Sequence, residues 1–326
     1  MREIDLVITW VDGNDPEWRA QKAAVTGIDD GDSVRYRDWD LLRYLLRGVD
    51  AFLPWIRRVH LITWGHLPSW INTEAEKLQV VNHRDYIPDS CLPTFNSNAI
   101  ELNMHRIDGL AEQFIYANDD MCFLRELSPE FFFKDGLPVD IGVEHPHQFF
   151  SGSIDHIIGN NLAVINKHFS KKETLRRCRK QWYSLKQGKG CLKNLYLSPF
   201  ACFTGFFDPH LPLAYRKSVW EDVWDKEGDR LRETCSHTLR STDDLSHWLF
   251  RYWQLVSGEF SPSGGTRGQF FSIGRDNADI AAAITRQSYP MICLNDDDPS
   301  LDFEAEKDTL HRLFEQILPQ KSSFER

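Results

Sequence analysis

The alternation of apolar and polar positions divides the first 120 residues into a repeating pattern of strands and helices. Residues 4–10 are β-branched and apolar over a strand's length, and they stop at Val11-Asp12-Gly13-Asn14-Asp15-Pro16, a stretch dense in turn formers. Across 39–53, Leu41, Leu42, Leu45, Leu46, Val49 and Phe52 recur at helical spacing, with Asp38 placed to cap the helix and Pro54 to end it. Residues 58–63 and 79–82 read as the second and third strands. Asn96 or Ser97 can cap a helix over about 99–107, and a strand at 113–117 follows. This order predicts an α/β fold, a mostly parallel sheet flanked by helices.

Beyond residue 140 the texture changes. Residues 167–193 hold ten Lys or Arg against one acid, Glu173. Such a run reads as a solvated helix face, as a contact with substrate phosphates, or as a contact with an anionic membrane surface. Further helices are predicted at 217–233 and 242–256, then a Gly- and Ser-rich loop at 261–265. A strand at 290–294 runs into Asn295-Asp296-Asp297-Asp298. The chain thus divides into an α/β core at 1–140, a basic and partly helical insertion or subdomain at 141–205, and a helical segment with a C-terminal strand at 206–326.

Composition narrows the function. The 326 residues, 41% hydrophobic and 13% aromatic, suffice for a large core. A formal net charge of −10 argues against a general nucleic-acid binder. Seven cysteines without a C-x-x-C pair signal neither a zinc ribbon nor a disulfide framework, and reduced thiols point to a cytoplasmic compartment. The first residues run straight into a strand, without the apolar core of a signal peptide, and no run approaches the roughly 18–20 apolar residues of a membrane span. The expectation is a soluble cytoplasmic protein, with peripheral membrane contact left open.

Candidate chemistry gathers at strand ends. The strand at 113–117 terminates in Asn118-Asp119-Asp120, and ligands of open α/β sheets collect outside the carboxyl ends of strands. Two adjacent carboxylates there suit a hard divalent cation that completes its shell with water and phosphate oxygens; two solvated acids in a turn are the plainer alternative. Asn295 and Asp296 end another strand and either converge on the same ion or form an Asx-rich turn. Asp12 and Gly13, just past the first strand, occupy a nucleotide-site position, although no G-x-G-x-x-G or Walker pattern is present. Arg37 is either a contact to nucleotide phosphate or a surface charge. Glu101, His105 and Asp108 share a polar stripe of the 99–107 helix, for His105 most simply an exposed face. His210, between Pro209 and Pro212, is presented by a stiff loop; its imidazole suits accepting a proton or, when charged, stabilising phosphate. Arg240 precedes a capping-type helix start, Ser241-Thr242-Asp243-Asp244, and either clamps phosphate oxygens or pairs with Asp243 or Asp244. The residues alone reach a metal-dependent enzyme acting on phosphorylated substrates.

Four ordered blocks carry a resemblance. The first is Ile4 through Pro16. The second runs from Arg35-Tyr36-Arg37-Asp38 through Leu42-Arg43-Tyr44, Pro54-Trp55, Pro68-Ser69-Trp70 and Leu92-Pro93-Thr94-Phe95 to Asn118-Asp119-Asp120. The third holds His210-Leu211-Pro212, Arg240 and Asp243-Asp244 to Trp253, and the fourth is Ile292-Cys293-Leu294-Asn295-Asp296. In these the chain resembles the Stealth proteins, bacterial capsular-polysaccharide phosphotransferases similar to the animal enzyme that tags lysosomal glycoproteins with N-acetylglucosamine-1-phosphate. The resemblance implies a Rossmann-like or GT-A-like fold and transfer of a sugar-1-phosphate from a nucleotide sugar, a UDP-sugar first, to a hydroxyl of an acceptor polysaccharide or oligosaccharide. A nucleoside monophosphate leaves. It further implies Mg²⁺ or Mn²⁺ at Asp119 and Asp120, with Asn295 and Asp296 as further ligands. Glu101, Asp120, His210 and Arg240 would be catalytic, and Asp12, Gly13 and Arg37 would bind the donor. A capsule-assembly partner is a possible contact, and nucleic acid is not expected. The competing readings are a metal-dependent glycosyltransferase that releases a nucleoside diphosphate and a non-catalytic glycan-binding component of a capsule-assembly complex.

Overall fold

The computed structural model describes residues 3–28, 37–150, 155–296 and 298–326; Arg35, Tyr36 and Asp297 of the motifs above lie outside the described residues. The chain begins with β1 (Ile4–Thr9), α1 (Pro16–Thr26), α2 (Leu41–Phe52), β2 (Val59–Thr63), β3 (Leu78–Asn82), α3 (Ser97–Leu102), β4 (Gln113–Asn118) and β5 (Met121–Phe123). The middle is helical: α4 (Asp155–His168), α5 (Lys171–Arg177) and α6 (Lys189–Leu197). Then follow β6 (Leu213–Arg216), α7 (Lys217–Ser236), α8 (Trp248–Ser257), β7 (Gln269–Ile273), α9 (Ala278–Thr285), β8 (Met291–Asp296) and α10 (Phe303–Ile317).

Five strands form the main sheet in the order β3-β2-β1-β4-β6, with β6 alone antiparallel to its neighbour. Leu6, Val7 and Ile8 are fully buried because helices cover both faces of this sheet, which accounts for the unbroken apolar triplet in β1. Thr9 stands beside Asn118, so the carboxyl ends of β1 and β4 open onto one cleft. A second sheet, β7-β8-β5, abuts this edge: β8 runs antiparallel to β5, pairing Cys293 with Met121, and Leu294 N donates to Asp120 O at 2.9 Å. The mostly parallel α/β fold expected from the hydrophobic pattern is therefore present.

Three local expectations are corrected. Asp38 does not cap α2, which begins at Leu41; its carboxylate instead accepts from Asp40 N at 2.8 Å. The helix expected over 99–107 ends at Leu102, where the buried Asn103 donates to Ala99 O and the chain tightens into a 3₁₀ turn. Glu101, His105 and Asp108 therefore share no helical stripe. His105 is buried against Trp224, ring centroids 5.5 Å apart, and burial pushes its pKa down to about 3. The helix expected from residue 242 starts at Trp248, because Asp244 turns inward.

The basic stretch is partly internal. Lys171 is buried, its Nζ 2.7 Å from both Glu144 Oε2 and Leu197 O, and Lys167 and His168 engage Glu227. Contacts cross both boundaries expected from composition. Arg251 of α8, fully buried, donates to Asp140 at 2.8 and 3.0 Å and to Asp208 at 2.7 Å. Trp182 and Phe203 share a core with Phe250 and Tyr252. Arg47 of α2 is likewise buried and donates to Glu325 at 2.8 and 3.0 Å. All seven cysteines are unpaired thiols. Among the described residues no helix is long and apolar enough to cross a membrane.

Candidate active site

Asp119 and Asp120 form the turn between β4 and β5, half-buried at the cleft floor. Burial raises the pKa of Asp119, and Asp120 and Asp38 raise it further; burial raises Asp120 too, against the pull of His210. Asp38 is raised by burial and by Asp40 and Asp12 beyond its hydrogen bond to Asp40 N. Five carboxyl groups thus crowd one end of the sheet, an arrangement that calls for positive charge. Donor atoms of Asp120, His210 and Cys293 lie within 4.8 Å of one another, and Asp120 Oδ1 is buried without a hydrogen-bond partner. Cys293 Sγ donates to Asp120 Oδ2 at 3.4 Å; burial and the adjacent carboxylates push the thiol pKa up, so it keeps its proton.

His210 is exposed, at a left-handed φ of 48°, with its ring edge-on to Phe270 at 5.4 Å. The loop is anchored two residues earlier, where Asp208 accepts from Arg251 and from Tyr252 Oη.

Asn295 and Asp296 close β8, two and three positions beyond Cys293, and Asp296 Oδ1 is buried without a hydrogen-bond partner among the described residues. The antiparallel register delivers Cys293 beside Asp120, while Asn295 and Asp296 continue along β7 opposite Ser272 and Ile273. Asp296 Oδ2 accepts from Trp39 Nε1 at 3.1 Å and pairs with Arg37 at 3.4 Å. Arg37 also reaches Asp298 O, so its guanidinium is bonded to the C-terminal segment.

Past β1, Asp12 N donates to His66 Nε2 at 2.7 Å, and Asp12 Oδ1 accepts from Asn14 N. This requires an unprotonated Nε2, consistent with the fall in the His66 pKa on burial. Gly13 is buried beside it. His66, Trp64, Asp15, His83 and Thr94 line a pocket of about 520 Å³.

Glu101, on α3, meets the side chains at the carboxyl end of β4. Tyr116 Oη is 3.1 Å from Glu101 Oε1 and 2.7 Å from Asn118 Oδ1, and Thr9 Oγ1 donates to the same Asn118 oxygen at 3.2 Å. One phenolic proton cannot serve both acceptors. If Glu101 is protonated it donates to Tyr116 while Tyr116 donates to Asn118, and the network closes. Burial accordingly raises the Glu101 pKa to about 7, against the opposing charge of Arg240 and the Tyr116 hydrogen bond. His247 Nε2 stands 3.9 Å from Glu101 Oε2, its Nδ1 2.8 Å from Tyr215 Oη, and burial beside His210 and Arg251 lowers its pKa to about 3.

Arg240 does not take Asp243 or Asp244 as its hydrogen-bonded partner here; its Nε and Nη2 donate to Ser97 Oγ at 3.0 and 2.6 Å. Asp244 is fully buried and accepts from Asn96, Asn98 and Ser241 N at 2.8–3.0 Å, with His237 Nδ1 at 2.7 Å. This carboxylate joins the start of α3 to the Arg240 loop, which is why Arg240 and Glu101 meet.

The structure therefore brings Asp120 and His210 together, with Asp119 adjoining, and places Arg240 near Glu101, while Asp296 is paired with Arg37 and Trp39. Tyr116, His247 and Cys293 received no role from sequence. Tyr116 had a legible signal, since it stands two positions before Asn118 on a strand and so shares its face; His247 had none.

A mostly parallel α/β sheet with an acidic cleft at its strand ends, facing a histidine and a carboxyl with its pKa near neutrality, is the arrangement of an enzyme active site. Residues 2–30 match Stealth protein conserved region 1 and residues 35–139 match conserved region 2, which covers the first two blocks. The capsular polysaccharide phosphotransferase WcwK of Streptococcus pneumoniae is 37% identical over 331 residues, spanning 100% of this chain and 99% of that one. The exopolysaccharide phosphotransferase cps2G of Lactiplantibacillus plantarum is 37% identical across 99% and 96% of the two chains. The receptor polysaccharide phosphotransferase WefC of Streptococcus gordonii is 36% identical across 100% and 99%. The chain belongs to the Stealth protein family and is a phosphotransferase. Among solved structures, the galactosyltransferase LgtC covers 96% of both chains at 12% identity with a TM-score of 0.39, a likeness too weak to carry argument.

Proposed function

We propose that this phosphotransferase moves a sugar-1-phosphate from a nucleotide-sugar donor, a UDP-sugar first, to a hydroxyl of an acceptor glycan in capsular or exopolysaccharide synthesis. The acceptor oxygen forms a bond to the phosphorus next to the sugar. The bond from that phosphorus to the nucleoside monophosphate breaks, and the acceptor proton passes to the enzyme. The observation that carries this reading is the meeting of Asp120, the second of the paired acids, with His210 at a strand-end cleft that Glu101 also borders, a carboxyl with its pKa near 7.

A divalent cation fits these residues. Asp120 has a buried oxygen without a partner, and the crowded carboxyl groups resist ionising together. Asp119 and Asp120 would hold Mg²⁺ or Mn²⁺; when bound, it neutralises charge on the donor diphosphate. Cys293, protonated, orients Asp120 by its hydrogen bond. The donor nucleotide lies along Asp12 and Gly13, with the adjacent pocket open to its base. Glu101, ionised, accepts the acceptor proton, since its pKa near neutrality matches that task. Arg240 and His210 meet phosphate oxygens whose charge grows during transfer. Tyr116, Asn118 and Thr9 hold Glu101 in place.

Incubation with a panel of nucleotide sugars, Mg²⁺ or Mn²⁺ and an oligosaccharide acceptor tests this reading. A nucleoside monophosphate and a phosphodiester-linked sugar are expected. A nucleoside diphosphate with a glycosidic product would transfer the case to a glycosyltransferase, and no turnover with any donor would leave only glycan binding.

A further inference from the structure

On helices that carry none of the cleft side chains, the stretch 171–200 presents a surface that phosphoryl transfer does not use. Among the described residues eleven large hydrophobic side chains are exposed, and five of them, Leu185, Leu192, Leu195, Tyr196 and Phe200, fall in this one stretch. On α6, Leu192, Leu195 and Tyr196 stand three or four positions apart and face outward. The opposite face is fixed by Asn194, buried, which donates to Gly142 O and Trp182 O, both at 2.7 Å. The helix therefore cannot roll its apolar face inward. Single exposed apolar residues are ordinary, but a contiguous set marks a surface that meets something.

Charge identifies what it meets. Lys172, Arg176, Lys186 and Lys189 are exposed on the same stretch, in a chain whose formal net charge is −10. Lys172 and Arg176 flank Phe200 and Tyr183 around a groove of about 590 Å³, and Lys189 stands three positions before Leu192 on α6. Apolar side chains interspersed with bases, on short amphipathic helices, match the two layers of a bilayer surface: acyl chains beneath, anionic headgroups above. We propose that residues 171–200 dock the enzyme peripherally on an anionic lipid bilayer. Leu192, Leu195 and Tyr196 would enter the interface, with the bases over lipid phosphates. This inference does not depend on the chemistry of the cleft.

The test is sedimentation of the full chain with vesicles of phosphatidylcholine, alone or mixed with phosphatidylglycerol. Binding is expected only to the anionic vesicles, and 0.5 M salt should release it. Each base near an anionic surface contributes about fivefold, so the triple variant Lys172→Gln, Arg176→Gln, Lys189→Gln should partition on the order of a hundredfold more weakly. The triple variant Leu192→Ser, Leu195→Ser, Tyr196→Ser should lose at least tenfold, with its melting temperature unchanged. Wild-type protein that ignores anionic vesicles, or binds them no better than either variant, would overturn the proposal. Self-association in sedimentation velocity that the serine substitutions abolish, without vesicle binding, would assign the surface to a second copy instead.

Discussion

Replacing Glu101 by Gln separates its two properties, proton affinity and hydrogen bonding. The carboxyl is buried, and its pKa is raised from 4.5 to about 7. The folded protein therefore retains a proton that the unfolded chain releases between those values. Stability from the protonated group is fully present below pH 4.5 and is lost as pH rises through 7. Displacement from 4.5 to 7 corresponds to about 3 kcal/mol. Gln keeps the shape and can still donate to Tyr116, so the variant should equal wild type near pH 4.5 and exceed it by up to about 3 kcal/mol at pH 8. For a chain of 326 residues that is a rise of about 4 °C in melting temperature. Turnover should move the opposite way. Wild-type kcat/KM should climb with pH to a plateau above about 7, and Glu101→Gln should lose roughly 10²- to 10⁴-fold together with that limb. The assays are thermal unfolding of the ligand-free protein and initial rates, both from pH 5 to 8.5. A rate limb near pH 4.5, or a variant whose melting temperature tracks wild type at every pH, would refute the reasoning.

Asp120→Asn should keep the fold and lose activity by orders of magnitude, and EDTA should silence wild type until Mg²⁺ or Mn²⁺ is restored; turnover after exhaustive chelation would remove the cation from the mechanism. Arg240→Lys should fail in kcat more than in donor affinity, because a point charge cannot replace a guanidinium fork, and parallel titration of donor binding checks the split. Asp244→Ala leaves the amide of Asn98 without its acceptor in the interior and that of Asn96 with only Leu239 O, at a cost of about 1–3 kcal/mol for a group left unsatisfied. It should also depress turnover by releasing the Arg240 loop, which denaturant unfolding and rates together would show.

Much of the scaffold was legible because its signals are local. The apolar run of β1, the leucine spacing of α2 and the abrupt Asn-Asp-Asp after β4 each follow from neighbours in sequence. The misjudged segments were decided by distant partners. Asn103 ends α3 early with a hydrogen bond to Ala99 O and a contact to Cys235, and Asp244 forgoes a helix to bind Asn96 and Asn98. In the site, His210 and Asp120 were each visible as chemistry at a strand end or stiff loop. That Cys293 rather than Asp296 would stand beside Asp120 depends on β-register, which no single strand encodes. In the basic run Lys172 and Arg176 face outward as a solvated face would, but Lys171 is interior, paired with Glu144, which no reading of the run expected.

The bonding of Arg47 bears on how the chain acquires its shape during synthesis. This cation sits in α2, yet its buried partner, Glu325, follows it by 278 residues and is translated long after it. Strands β6 and β8, which complete the two sheets beside the cleft, are also made long after β1 to β5. A growing chain therefore carries Asp119 and Asp120 well before it can carry a finished cleft, and an unpaired interior arginine opposes early closure of the first half. Nascent chains and prematurely terminated products should thus be inert and exposed to proteases, so that activity appears only with chains translated through Glu325.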